Sequence, residues 1–210
     1  MPYQNIIFDL GGVIINIDYR LSVREFAKLS SGILNEIELQ NSPPNFIIAY
    51  EKGEISSTQF RNSIRKEFHI TATDEQIDAA WNAMLLDIPQ ERLLLIRKLS
   101  KYKRLFVLSN TNQIHKTAFD KKTQAILKNT PFDDLFEKAY YSYQIQMSKP
   151  DSIIFELVVN QNKLIPHQTL FIDDTKKHLL AAQQIGITTY HLQAPETITD
   201  LFNRETSKST

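Results

Sequence analysis

The chain has 210 residues, 24 basic against 24 acidic side chains for a formal net charge of +0, 42% hydrophobic residues and no cysteine. Balanced charge leaves no electrostatic footprint for nucleic acid or an anionic membrane, and the absence of cysteine excludes disulfides and thiolate metal sites. No apolar run approaches the ~18 residues that span a bilayer, and the N-terminus lacks a basic-then-apolar leader, so a cytoplasmic protein of one domain plus an insertion is expected.

In chain order, Ile6 to Phe8 is a short apolar run that ends on Asp9 and is followed by Gly11-Gly12. The run has the length of a buried parallel strand, and two glycines argue against a helix through it. Tyr19, Val23, Phe26 and Ala27 then share one helical face. Asn41 to Asn45 holds two prolines and reads as a loop, followed by a short helix from Phe46 to Glu51 that ends near Gly53. Ser56 with Gln59, and Thr73 with Gln76, have capping-box spacing; Phe60, Ile64 and Phe68 follow the first, and Ile77, Ala80, Trp81 and Met84 the second. Residues 17–88 therefore read as all helix.

From Pro89 the pattern alternates. A helix is expected over 91–102 with Leu95, Ile96 and Leu99 inward, a strand over 105–108, a polar helix over 112–128 and a strand over 138–142. A helix over 152–161 with Ile153, Ile154, Leu157 and Val158 on one side, a strand over 169–172, a helix over 175–185 and a strand over 187–191 complete it. The Ser/Thr/Lys-rich tail from Asn203 reads as disordered. Strands alternating with helices imply right-handed crossovers and a parallel sheet covered on both faces. The expected fold is thus α/β, a Rossmann-like core of residues 1–16 and 89–210 interrupted after its first strand by an all-helical block, residues 17–88.

Three apolar runs end on polar groups: Phe8 on Asp9, Leu108 on Ser109-Asn110-Thr111, and Ile172 on Asp173-Asp174. Lys149 precedes Pro150 at a helix start. Singly, each has a plain structural use: a turn Asp, a helix-capping Ser, a surface Lys, an acid pair capping the next helix. The ordered set of Asp9, Ser109, Lys149 and Asp173-Asp174 closely resembles the haloacid dehalogenase-like (HAD) hydrolase superfamily over nearly the whole chain. The resemblance implies that residues 17–88 are a cap domain over the active site. It implies that Asp9 is the nucleophile, Ser109 and Asn110 hold the phosphoryl group, and Lys149 neutralises shared charge. It further implies that Asp9, the Gly11 carbonyl, Asp173 and Asp174 bind Mg²⁺, an ion that suits oxygen ligands.

Two positions depart from the family pattern. Gly11 stands where phosphatases of the family usually carry an acid–base Asp, and His178 where Asn is common. The leading function is a magnesium-dependent phosphatase that hydrolyses a small phosphorylated metabolite, a sugar phosphate in the first instance, through an aspartyl-phosphate. The competing readings are a 2-haloacid dehalogenase, disfavoured by the acid pair and the glycine turn, and a degenerate member that binds a phosphate ligand or partner without efficient turnover. No membrane or nucleic-acid partner is expected. The five histidines show no metal-ligand spacing, and the Trp81 stripe reads as helix core.

Overall fold

The protein is described by a computed structural model covering residues 3–30, 44–128 and 130–207. Five parallel strands, β1 (Asn5–Phe8), β2 (Arg104–Ser109), β3 (Lys138–Tyr141), β4 (Thr169–Asp173) and β5 (Thr188–His191), form one sheet in the order β3-β2-β1-β4-β5. Successive strand residues point to opposite faces. Ile6, Phe8, Leu105, Val107, Leu170 and Ile172 therefore bury on one side, and Ile7, Phe106, Leu108 and Phe171 on the other. Every residue of β1 is buried, which is why it reads as a continuous apolar run. The register aligns Phe8 with Val107 and Ile172, so the carboxyl ends of β1, β2 and β4 lie side by side. In open α/β sheets ligands bind at that edge.

The helices α1 (Tyr19–Leu29), α2 (Asn45–Glu51), α3 (Ser57–Glu67) and α4 (Asp74–Asn82) follow β1. Both expected capping boxes form, Ser56 with Gln59 and Thr73 with Gln76. The segment has its own apolar cluster, in which Phe60 stacks on Tyr50 at 4.2 Å and packs 5.1 Å from Trp81. Its two connections to the sheet run together. Ile17 and Leu85 form an antiparallel bridge, flanked by bonds from Asn16 N–H to the Asp87 carbonyl and from Leu86 N–H to the Asn16 carbonyl.

The remaining helices, α5 (Gln90–Leu99), α6 (Gln113–Ile126), α7 (Ser142–Ile145), α8 (Ser152–Gln161), α9 (Lys176–Gln184) and α10 (Ile198–Ser207), cover the sheet. Several expectations need correction. In α5 Ile96 is buried and Leu95 and Leu99 pack partly buried against the core as expected, but Leu93 is buried too, with Arg92, whose guanidinium reaches the Val13 and Ile14 carbonyls at 3.3 Å. In α8 Ile153 is exposed and Phe155 takes its place inside. Ser142 opens α7 rather than ending β3. The chain after Asn203 continues α10 to Ser207, because Leu201 and Phe202 bury against the sheet. In the expected loop at 41–45, residues 41–43 lie outside the described residues, while Pro44 caps α2 and Asn45 is its first residue. Among the described residues no helix is long and apolar enough to cross a membrane.

Candidate active site

Asp9 stands one residue past β1, where its N–H donates to the Ile172 carbonyl at 2.9 Å. That bond sets it beside the end of β4. The chain then turns through Gly12, whose φ of +70° favours glycine. A Cβ on Gly12 would lie 2.2 Å from Asp174 Oδ2, so the turn and the acid pair fit only without a side chain there. Gly11 is different, for its backbone is not in the left-handed region, and a Cβ would meet Ile17 Cδ1 at 2.8 Å. A side chain at position 11 would thus require the terminal methyl of Ile17 to shift aside.

The structure brings Asp9, Lys149, Asp173 and Asp174 together. Lys149 Nζ lies 2.8 Å from Asp9 Oδ1 and 2.7 Å from Asp173 Oδ2. The lysine is placed by Asn110, whose side-chain amide accepts from Lys149 N–H and donates to the Lys149 carbonyl, each at 2.9 Å. Asn110, expected among the substrate ligands, spends its side chain on this task. Ser109 is buried at the end of β2 and shares a cavity of about 40 Å³ with Gly11, Asn110, Thr111 and His115. His115 stacks on Trp81 at 4.9 Å, its Nδ1 meets Asn82 Oδ1 at 2.9 Å, and its Nε2 is buried without a hydrogen bond. Nothing in the spacing of His115 singled it out.

Asp173 is fully enclosed and accepts from Lys149 Nζ, from Thr175 N–H at 2.7 Å and from His178 Nδ1 at 3.0 Å. His178, noted for its departure from the family's Asn, therefore orients an acid of the pair. Asp174 is exposed and accepts only the Thr175 hydroxyl, at 3.0 Å, among the described side chains. Burial pushes the Asp9 carboxyl up, aided by the charge of Asp173 and opposed by Lys149. Burial also works against the charge of Asp173, but Lys149 and His178 outweigh it and hold that carboxyl below its ordinary range. Lys149 is likewise disfavoured by burial, yet Asp9 and Asp173 hold its ammonium above the usual lysine range. Asp9, Asp173 and Asp174 each offer a carboxylate oxygen within 4.8 Å of the others. Hard oxygen donors converging on one point, beside a glycine that makes room for them, fit a hard divalent cation such as Mg²⁺.

The chain matches the family model of haloacid dehalogenase-like hydrolase over residues 3–186, and it belongs to that family of hydrolases. It is 28% identical over 187 residues to the D-ribitol-5-phosphate phosphatase of Bacteroides thetaiotaomicron, a match taking in 89% of this chain and 90% of that one. A crystal structure of a HAD family enzyme from the same organism is similar at a TM-score of 0.89 and 36% identity, covering 96% of this chain and 99% of that one. The wild-type form of that HAD family enzyme in complex with magnesium and inorganic phosphate matches at a TM-score of 0.83 and 37% identity, over 95% and 99%.

Proposed function

We propose that the protein is a magnesium-dependent phosphatase that hydrolyses a small sugar or polyol phosphate through an aspartyl-phosphate. The observation that carries the reading is the convergence of Asp9, Asp173 and Asp174 around one point, with Lys149 bridging two of them. The likeness to a D-ribitol-5-phosphate phosphatase and to an enzyme that holds magnesium and phosphate supports the substrate class.

In this reading Asp9 attacks phosphorus and the ester oxygen departs, so that one displacement becomes two easier ones. Lys149 offsets the charge that Asp9 shares with the transferring group, and Ser109 with the backbone N–H groups after it holds the phosphoryl oxygens. Asp9, Asp173, Asp174 and the Gly11 carbonyl would hold Mg²⁺, with Asp173 fixed in place by His178 and Thr175. The ion, when bound, lets two anions approach each other. Residues 17–88 act as a cap over a core of residues 1–16 and 89–210, a division supported by the paired connections at Ile17 and Leu85. The rest of the substrate sits in a cavity of about 410 Å³ lined by Tyr19, Ser22, Glu51, Trp81 and Met84 among others.

The test is phosphate release over a panel of sugar, polyol and other metabolite phosphates, with magnesium and with chelator. Release that requires magnesium is expected. Release unaffected by chelator, or thermal shifts with phosphates but no release from any of them, would overturn the reading.

A further inference from the structure

The departing oxygen of an alkyl phosphate needs a proton, and position 11 carries no acid to supply it. Asp9, Lys149 and Asp173 are bonded to one another, and Asp174 stands beside Asp9 and Asp173 as a further metal-ligand candidate. His115 lies near, but Asn82 Oδ1 accepts the proton on Nδ1, so Nε2 carries only a lone pair. Burial pushes that imidazole down to about 3, and it has no proton to donate at Nε2 near neutral pH.

The opposite wall of the cleft supplies a different group. α2 ends on Glu51, and its end is clamped to the loop that follows Ser109. Ser142 Oγ donates to the Glu51 carbonyl at 2.5 Å and accepts the Thr111 N–H at 2.9 Å. The Tyr50 hydroxyl accepts the Ile114 N–H at 3.2 Å. Gly53, with φ +69°, backs onto the Tyr143 carbonyl so closely that a Cβ would stand 2.0 Å from it. One serine oxygen therefore separates the backbone of Glu51 from Thr111, two residues past Ser109. The Glu51 side chain lines the larger cavity beside Tyr19 and Met84, which also line the small one with Gly11 and Ser109. Its carboxyl accepts no hydrogen bond from any described residue.

We propose that Glu51 is the acid–base residue of this site, delivered from the helical wall in place of an acid at position 11. The proposal rests on the phosphatase reading. As Asp9 Oδ bonds to phosphorus and the phosphorus–ester oxygen bond breaks, Glu51 gives its proton to that oxygen, releasing an alcohol and leaving a carboxylate. In the second displacement the Glu51 carboxylate takes a proton from water, the water oxygen bonds to phosphorus, and the Asp9 oxygen–phosphorus bond breaks. Asp9 returns as a carboxylate, Glu51 as an acid, and inorganic phosphate leaves.

The surroundings suit a proton that comes and goes near neutrality. Glu51 is half-buried, and that desolvation pushes its carboxyl up to about 7, with Lys177 at the start of α9 pulling the other way. The last turn of a helix also disfavours a negative charge. The other ionisable groups on the walls are Tyr19 and Arg20 of α1.

The experiment compares wild type, E51Q and E51D on ribitol 5-phosphate, a poor leaving group, and 4-nitrophenyl phosphate, a good one, across pH. E51Q is expected to lower kcat on ribitol 5-phosphate by about 10²–10⁴-fold, the worth of a general acid, and to spare most of the aryl rate. The wild-type alkyl rate should fall as pH rises through the Glu51 titration, and E51Q should lose that limb. Equal losses on both esters, or a change in KM alone, would overturn the role of Glu51 and leave the phosphatase standing. Wild-type protein that releases phosphate neither from these esters nor from any sugar or polyol phosphate of the panel would overturn both. If E51Q fails to fold, E51D decides: a shortened acid should keep the limb and lose alkyl turnover selectively, and an E51D with no selective loss counts against the proposal.

Discussion

Asp9, Ser109 and Asp173 sit at or just past the ends of three hydrogen-bonded neighbours in the sheet, whereas Glu51, Trp81 and Met84 hang on the helical segment, which joins the sheet through two paired connections. The first wall is positioned by backbone. Its charges are bonded to each other and to main-chain groups, as with Asp173 on Thr175 N–H or Lys149 held at both ends of its peptide by Asn110. The second wall is positioned by side-chain packing, an aromatic cluster in which Phe60 has no exposed surface. In the proposed function the charged wall holds the phosphoryl group, and the helical wall lines the cavity for whatever the phosphate is attached to.

Four substitutions probe that division. Asp9→Asn should abolish phosphate release while the melting transition stays near that of wild type, since an amide keeps the volume and removes the nucleophilic charge. Near-normal turnover in this variant would refute covalent chemistry on the sheet side. Phe60→Ala should destabilise the chain by about 3–5 kcal/mol, the usual cost of emptying a buried aromatic site, as read from denaturant unfolding. Because the cluster lies on the other wall, magnesium affinity of the folded fraction should not change; if it does, the two walls are not independent. Gly12→Ala brings a methyl against Asp174 Oδ2 and strains a positive φ. It should weaken magnesium binding about 10–100-fold, the range typical of disturbed support around a metal ligand, measured by calorimetric titration.

The smallest effect concerns where the walls meet. His115 of α6 is buried against Trp81 and Asn82 of α4, and burial pushes its imidazole down to about 3. The unfolded chain therefore binds a proton at this histidine that the folded chain does not. Stability from this group is complete above the unfolded value and is lost as pH falls, by up to about 1.4 kcal/mol per pH unit between roughly 6.5 and the folded value. His115→Gln should remove that part of the slope, seen as the difference between the stability–pH curves of variant and wild type. Parallel curves would mean that the ring can protonate without parting the two walls.

Much of the sheet side could be read from residue order alone. A parallel strand buried on both faces must be a short apolar run, so its carboxyl end announces itself by the first polar residue, and Asp9, Ser109 and Asp173 lie at those points. The capping boxes were legible for a similar reason, since both partners lie within one helical turn. The burial of Arg92 in α5 and the end of α10 were not. Arg92 goes inside because the carbonyls of Val13 and Ile14 are there to receive it, and Leu201 and Phe202 extend the last helix because the sheet offers them an apolar surface.

The same divide runs through the site. Side-chain type and order specify a carboxylate, a hydroxyl, a lysine and an acid pair at strand ends, because local backbone geometry sets those positions. Only the packing of α2 against the loop after Ser109 places Glu51 near that loop and leaves its carboxyl short of hydrogen bonds, and only the meeting of α4 with α6 encloses His115. Those contacts join residues far apart in the chain, and no periodicity or spacing encodes them; burial, which moves both carboxyl and imidazole away from their ordinary titration, exists only once the two walls have closed on each other.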